Sequence, residues 1–532
     1  MTTLAHQPTG RKNPLAHLVT DENYMWWATI PVILGMFIVI MDNSIVNVAL
    51  PHIMSDFGSN LEEIEWVSTG YMLASAVMMP TTGYLGDRFG RKRVYWIATA
   101  MFTLASVLCG MAWNTPSLII FRVFQGIVGG AIQPVSQAII FEAFPPAKRG
   151  MSMAVVGIGA MFAPMLGPTV GGYLVDYISW RWIFYVNLPF GILAVFMTLF
   201  IIRESATRKL PFDAWGLTFM ATFLTTVLLA VSQGNKEGWD SPYIVALMAT
   251  GLISFGLFVI VEMWRAHPLI DLRLFEIGTY TAGTCSSIVM GVGLFGGMFL
   301  LPLFLQNEMD YDAIQTGLLM LPQGLAVAFT MPVAAKLMAR TDPRYLMVGG
   351  MGLIGLTLWL QGSMTPETSS FTLVWWTVLR GIGMGLAFPS MNQTTLASVP
   401  ITSVGMASGM FNVTRQIGGS FSIALLTTLI TQRNVFHTSI LGQDAARTGM
   451  AHEFTAQVQQ HALTMGNTAM EAHAVAGASM AGLIAKQASV LAFQDAFYAA
   501  GVVMFLGIIP CLFVKKKAQE GPADSSHAMV ME

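Results

Sequence analysis

The feature that most constrains this chain is a series of apolar runs, each long enough to cross a bilayer. A helix needs about 20 apolar residues to traverse the roughly 30 Å hydrocarbon layer. Runs of that kind fall at about 28–50, 64–83, 94–112, 117–141, 151–175, 182–202, 214–233, 242–263, 279–305, 313–337, 345–361, 371–391, 404–430 and 491–514, fourteen in all. With no water in the hydrocarbon, backbone polar groups must bond within their own segment, so unbroken runs read as helices. A membrane β-barrel would show short alternating strands instead. The composition agrees: 54% of residues are hydrophobic and 11% charged, against about 25% charged in soluble domains. So apolar a chain is not disordered. Lys+Arg (27) nearly cancel Asp+Glu (29), which removes nucleic acid as a partner.

Nineteen Lys and Arg fall in one alternate set of loops and tails, including Arg88, Arg91, Lys92 and Arg93. Five fall in the other set: Arg181, Lys236, Arg433, Arg447 and Lys486. The positive-inside rule places the first set in the cytoplasm, and both termini with it. No small-residue cleavage site precedes the first apolar run, so that span is expected to be retained. Cys109, Cys285 and Cys511 lie in apolar runs with no disulfide or metal-knuckle spacing.

The chain also repeats itself. An offset of 255 residues pairs Gly126 with Gly381, Gly130 with Gly385, Pro134 with Pro389, and Gly150-Met151 with Gly405-Met406. An offset of 252 pairs Met79-Pro80 with Met331-Pro332 and Arg88 with Arg340. Spans 1–6 are therefore one half, spans 9–14 the other, and spans 7 and 8 an insertion. The expected division is a tail 1–27, a six-helix bundle 28–202, two inserted spans with their flanks 203–276, a second bundle 277–514 with an outer loop 432–490, and a tail 515–532. Two parallel six-span halves with substrate between them resemble the major facilitator superfamily.

Gly83-Tyr84-Leu85-Gly86-Asp87-Arg88-Phe89-Gly90-Arg91-Lys92-Arg93 resembles that superfamily's G-x-L-x-D-R-x-G-R-[RK] loop. The glycines permit a tight turn and close helix approach. Asp87 can cap the next helix or pair with a basic neighbour, and the cationic cluster suits anionic membrane lipid. Further segments resemble one branch, the fourteen-span drug:proton antiporters of the EmrB/QacA type. They are Met41-Asp42-Asn43-Ser44-Ile45-Val46-Asn47 in span 1, Arg122-Val123-Phe124-Gln125-Gly126 in span 4, Gly167-Pro168-Thr169-Val170-Gly171-Gly172 in span 5, Trp180–Pro189 before and into span 6, and Arg415-Gln416-Ile417-Gly418-Gly419 in span 13. The resemblance implies a gating role for Gly83, Gly86, Asp87, Arg88, Gly90 and Arg91. It implies an antiporter motif at Gly167, Pro168, Gly171 and Gly172.

An ionisable residue inside lipid is costly and points to function. Of the 29 acids, only Asp42 lies well inside a span. It sits about 12 Å from the outer end of span 1, and Arg122 about 8 Å from the outer end of span 4. At comparable depth, the two are expected to form the proton-coupling pair, Asp42 carrying the proton and Arg122 tuning it; the alternative is a structural pair holding spans 1 and 4 together. Burial disfavours a charged carboxylate and a nearby cation favours it, so a change in either loads or discharges a proton. Arg380 and Arg415 add two intramembrane cations in the second half. This excess is expected to disfavour dications and to suit lipophilic anions, weak acids or neutral apolar compounds; the alternative is that these arginines cap carbonyls or bind acids at loop ends.

No phosphate-binding loop, nucleophilic triad or dinucleotide fingerprint occurs, so neither ATP hydrolysis nor an enzyme is expected. His437, His452, His461 and His473 in the outer loop lack a metal-ligand spacing. The loop itself reads as one or two helices. The chain is expected to be a proton-driven exporter of lipophilic or toxic compounds in a bacterial inner membrane, needing no cofactor. The EmrB-type resemblance implies a periplasmic adaptor and an outer-membrane channel as partners, docked through the outer loop; the alternative for that loop is a solvated helical hairpin with no partner. Export of one metabolite (a fatty acid, siderophore or amino acid) is the rival reading on the same fold, and a membrane enzyme or sensor is a more distant one.

Overall fold

The computed structural model describes residues 20–514 except 146–147, 208–210, 212, 266–267, 269, 401–402 and 448. The expected tail 515–532, and the tail 1–27 as far as residue 19, lie outside the described residues. Among those described there are helices and no strands.

The first half holds α1 (Tyr24–Phe57), α2 (Leu61–Phe89), α3 (Arg91–Gly110), α4 (Thr115–Ala143), α5 (Arg149–Tyr177), α6 (Trp182–Tyr185) and α7 (Asn187–Ile201). The insertion holds α8 (Ala214–Glu237) and α9 (Pro242–Trp264). The second half begins with α10 (Gly278–Gly291) and α11 (Gly297–Glu308), joined by a π-helical turn Val292–Gly296. It continues through α12 (Ala313–Arg340), α13 (Pro343–Gln361), α14 (Ser370–Ala397), α15 (Val404–Arg447), α16 (Gly449–Thr464), α17 (Ala469–Leu506) and α18 (Ile508–Phe513). Several starts are written locally. Asn60 accepts from Glu63 N–H at 2.8 Å, and Asn114/Ser117 and Asp312/Gln315 form reciprocal caps. Ten helical segments of the described residues are long and apolar enough to cross a membrane. The other four expected spans coincide with α2, α5, α13 and α15, which are not among those ten.

Within the first half, α1 packs on α5 and α4 on α2 and α3. Within the second, α14 packs on α12 and α13, and α15 on α17. The halves meet along two seams, α5 against α12 and α2 against α15. At the end carrying the Arg91–Arg93 loop, here the basic face, the halves are packed shut. Ile139, Phe141, Phe144 and Val156 share one core with Leu396, Val399, Val404 and Ala407. Gln137 on α4 accepts from Ser408 Oγ (2.5 Å) and Asn412 Nδ2 (3.0 Å) on α15. Away from that face the contact loosens. Residues 134–141 of α4 are all buried, yet Ile120, Phe124 and Ile127 are exposed on the side opposite the α3 contact at Gly129. Trp375 of α14, offset by 255 residues from Ile120, is exposed too. These exposed apolar side chains lie beyond the closed packing, further from the basic face.

The inserted helix α8 covers the α2–α15 seam. Met220 and Leu224 pack with Met79, Tyr84 and Val413, Leu228 with Leu73 and Ala76, and Val227 and Val231 with Ala424. Its far end is tied to α2 by Lys236–Glu65 at 3.5 Å, and to α15 by Asn235 Nδ2 donating to Ala424 O at 3.1 Å. Helix α9 packs on α8.

The outer loop is more continuous than its composition suggests. Helix α15 runs 44 residues without a break, about 66 Å at 1.5 Å per residue, twice the hydrocarbon thickness. Helix α17 returns over 38 residues, and α16 packs against it. Asp495 on α17 accepts from Arg433 Nε (2.7 Å) and pairs with His437 Nε2 (2.8 Å), pinning the stalk at its base. Two of the expected metal-free histidine positions, His452 and His461, lie on α16, and His473 lies on α17.

Candidate functional site

Four helices of the first half converge on one carboxylate. Asp42 Oδ2 accepts from Arg122 Nη1 on α4 at 2.5 Å. Its Oδ1 accepts from Gln125 Nε2, one turn further along α4, at 3.2 Å, and from Asn187 Nδ2, the first residue of α7, at 2.8 Å. Ser106 on α3 stands behind them, its Oγ accepting from Gln125 (3.3 Å) and Asn187 (2.9 Å). Arg122 also donates from Nε to Val67 O at 3.2 Å and lies over the Tyr71 ring, 4.1 Å from its centroid. Asp42, Ser106, Arg122, Gln125 and Asn187 are all 0% exposed. Such a pair survives burial only when further hydrogen bonds satisfy its remaining lone pairs and protons. The Gln125 and Asn187 amides do so for the carboxylate, and Gln125 Oε1 accepts from Arg122 Nη1 at 2.7 Å, while Arg122 Nη2 is buried without a hydrogen-bond partner among the described residues.

The structure thus brings together the two charges expected to meet and adds three uncharged residues. Gln125 and Asn187 sit inside quoted motifs, but nothing in their residue type marks them. Asn187 follows Val186, whose backbone stays helical between α6 and α7, so α7 itself presents the amide to Asp42. Asp213, Glu262 and Glu308 are buried as well (3%, 4% and 5% exposed), at helix ends and not mid-span.

The second half contains a copy of this constellation with its charge changed. Adding 255 to Asp42, Ser106 and Gln125 gives Gly297, Gln361 and Arg380, and adding 252 to Tyr71 gives Gln323. These residues also meet one another. Arg380 donates from Nη1 to Gly297 O (3.2 Å) and Gln361 Oε1 (3.3 Å), and from Nη2 to Gln323 Oε1 (2.6 Å). A glycine stands where the first half has its acid, and a Cβ there would lie 2.8 Å from Arg380 Nη1. Arg380 is therefore held by neutral acceptors alone among the described residues. Arg415 on α15 donates to Asn412 Oδ1 at 2.6 Å and lies 5.1 Å from the centroid of Phe388.

The glycine-rich loop is a lock on the basic face. Gly90 has φ +93° and ends the α2–α3 turn, and a side chain there would enter the space of Glu204. Gly90 is also the N-cap of α3, so Asp87 pairs instead of capping: Arg91 Nη2 lies 3.6 Å from its Oδ1, and Arg91 Nη1 lies 2.8 Å from Glu142 Oε1. Arg88 donates to the Tyr84 hydroxyl. Gly86 faces the Arg91 stem, where a Cβ would come within 3.3 Å of its Cγ. A Cβ at Gly83 would lie 2.6 Å from the backbone N and Cα of Met406 on α15, so this glycine sets how closely the halves join.

Gly167 and Gly171 do the same for α5 and α1. A Cβ at Gly167 would lie 2.6 Å from Ser44 Oγ, and one at Gly171 2.7 Å from Ile45 Cγ1. Ser44 is two residues from Asp42, so this approach fixes the backbone beside the carboxylate. Gly172 meets nothing within 4 Å. Pro168 lies within α5, and its side chain falls outside the described residues.

Known proteins share both sequence and fold with this chain. The multidrug export protein EmrB of Haemophilus influenzae is 30% identical over 494 residues, covering 92% of this chain and 95% of that one. The fatty acid resistance protein FarB of Neisseria gonorrhoeae is 28% identical, covering 92% and 96%. Among solved structures, the proton:xylose symporter XylE aligns with a TM-score of 0.61 at 13% identity, over 93% of this chain and 97% of that one. The Major Facilitator Superfamily model matches residues 32–423. A polytopic all-helical chain with these relatives and this match belongs to the major facilitator superfamily of membrane transporters.

Proposed function

We propose that the chain is a proton-coupled antiporter of the bacterial cytoplasmic membrane that exports lipophilic small molecules by alternating access. The observation that carries this reading is the buried Asp42–Arg122 pair, with its amide ligands, in the first half of the helical bundle. Protonating Asp42 cancels the charge that holds Arg122, and the guanidinium must then find another acceptor or move with α4. Proton occupancy is in this way linked to how α1, α4 and α7 pack. The Lys/Arg asymmetry supports placing the basic face, and both termini, in the cytoplasm. The cleft then opens outward, and the Gly83–Met406 contact parts when the cytoplasmic side opens. No cofactor is needed, since one charge moving through 100 mV releases about 2.3 kcal/mol.

The relatives named for multidrug export and fatty acid resistance support an outward direction of transport. The stalk of α15, α16 and α17 supports docking of a periplasmic adaptor leading to an outer-membrane channel. Its tip exposes Met465 and Met470. A second reading, export of one physiological metabolite, draws on the fatty acid resistance relative, and a competition panel separates the two. The decisive assay uses purified protein in liposomes under an imposed pH gradient. Substrate accumulation is expected in wild type, abolished by an uncoupler and by Asp42→Asn. Undiminished accumulation in the variant refutes the coupling role.

A further inference from the structure

The charges between the halves do not balance. Asp42 and Arg122 neutralise each other, whereas Arg380 and Arg415 have no carboxylate partner among the described residues. Arg380 spends its donors on Gln323, Gln361 and Gly297. Arg415 does not. It is 8% exposed, and its Nη1 is buried with no hydrogen-bond partner among the described residues. A buried donor left unmade costs the desolvation of that group, more so when it is charged.

Its position says what could complete it. Ser408, Asn412 and Arg415 lie on one face of α15 at helical spacing, and the first two grip Gln137 of α4 across the closed part of the interface. Arg415 is the next residue outward on that face, at the level where the closed packing gives way to the cleft. It stands 11 residues along α15 from Val404, about 16 Å and so near mid-membrane. Further out, exposed apolar side chains follow, Phe124 and Ile127 on α4 and Trp375 on α14.

We propose that Arg415, steadied by Asn412 and flanked by Phe388, is the headgroup site for the carboxylate of an amphipathic acid whose hydrocarbon chain extends along the apolar wall of the cleft. This rests on the export reading and adds to it a substrate class and a residue. A guanidinium offers its donors in a planar fork that a carboxylate matches, and such charge-assisted bonds are about twice as strong as neutral ones. An alcohol of the same length keeps the apolar contact and loses the ion pair. A quaternary ammonium meets like charge.

The test is equilibrium binding of dodecanoate, dodecanol and dodecyltrimethylammonium to the full chain in zwitterionic nanodiscs at neutral pH. Wild type is expected to prefer the acid over the alcohol by about tenfold or more, as one charge-assisted bond predicts, and to bind the ammonium weakest. In Arg415→Gln that preference falls to near one, and in Arg415→Lys most of it remains. Absence of acid preference in wild type overturns the proposal whether or not any variant folds. So does a parallel loss of acid and alcohol in Arg415→Gln, which would mark a structural role. Gradient-driven export of an uncharged dye by wild type is measured separately. Its failure refutes the export reading and leaves the headgroup result standing, and the converse also holds.

Discussion

Replacing Asp42 by Asn separates the two contributions this carboxylate makes. The Arg122 Nη1–Asp42 Oδ2 distance of 2.5 Å corresponds to a Coulomb attraction of about 7 kcal/mol at an effective dielectric of about 20. Most of that offsets the cost of taking two ions out of water, so the pair itself adds little net stability. Removing only one partner is different, because it strands the other. Asp42→Asn is expected to destabilise the fold by about 3–5 kcal/mol, the range for a broken buried pair. The double variant Asp42→Asn/Arg122→Gln removes both charges and should recover most of that loss, giving a coupling energy of several kcal/mol in the cycle. Thermal unfolding in detergent reads the stability. Liposomes read transport two ways, as uphill accumulation under a pH gradient and as substrate exchange with no gradient. The double variant should fold and exchange yet fail to accumulate. Uphill accumulation by the double variant would refute the coupling argument, and a double variant no more stable than Asp42→Asn would refute the electrostatic one.

Three further outcomes are expected. Gly83→Val places a side chain against the Met406 backbone, where a Cβ already lies 2.6 Å away; transport should fall at least about tenfold, and spin-label distances across the basic face should lengthen. Unchanged distances would show that Gly83 does not set the closure. Asn187→Ala removes donors to Asp42 Oδ1 and Ser106 Oγ and should cost about 1–3 kcal/mol by thermal unfolding, the value of a buried polar group left unpaired; no loss would mean that a water replaces it without penalty. Outside the membrane, hydrogen bonds from Trp180 and then Arg181 hold the Asp56 carboxyl below the usual carboxylate range. A depressed carboxyl stabilises the fold above its ordinary pKa and loses that contribution as pH falls through the lowered one. Because Asp56 is solvent-exposed, its contribution is under about 1 kcal/mol. Asp56→Asn should therefore lower the unfolding temperature slightly at neutral pH and leave it unchanged in strong acid.

The parts of this molecule that could be read from residues alone are those with a cost in lipid. Apolar runs mark helices because the bilayer imposes their length, and Asp42 and Arg122 stand out because a charge at that depth demands a partner. The glycine-rich loop is legible because φ +93° at Gly90 is open to few other residues. Uncharged ligands carry no such signal. Gln125, Ser106 and Asn187 join the site through helix packing, which a hydropathy pattern does not encode. The charge-altered copy around Arg380 shows the same limit. Its offset is visible in the chain, but the contact with Gly297 uses a backbone carbonyl, and only coordinates reveal which carbonyl a guanidinium reaches. The seat of α8 was equally hidden, since its apolar face fits lipid as well as it fits α2 and α15.

That seat makes the two flanks of the transporter unequal. A greasy molecule drifting sideways in a leaflet meets a shutter on one flank and a bare joint, α5 beside α12, on the other. Cargo recruited from the membrane would therefore enter by a single door. The shutter is held to both halves, so under the proposed alternating access it must part from one of them: travelling with α15 tears the exposed Lys236–Glu65 tether to α2, and travelling with α2 breaks the Asn235–Ala424 bond to α15.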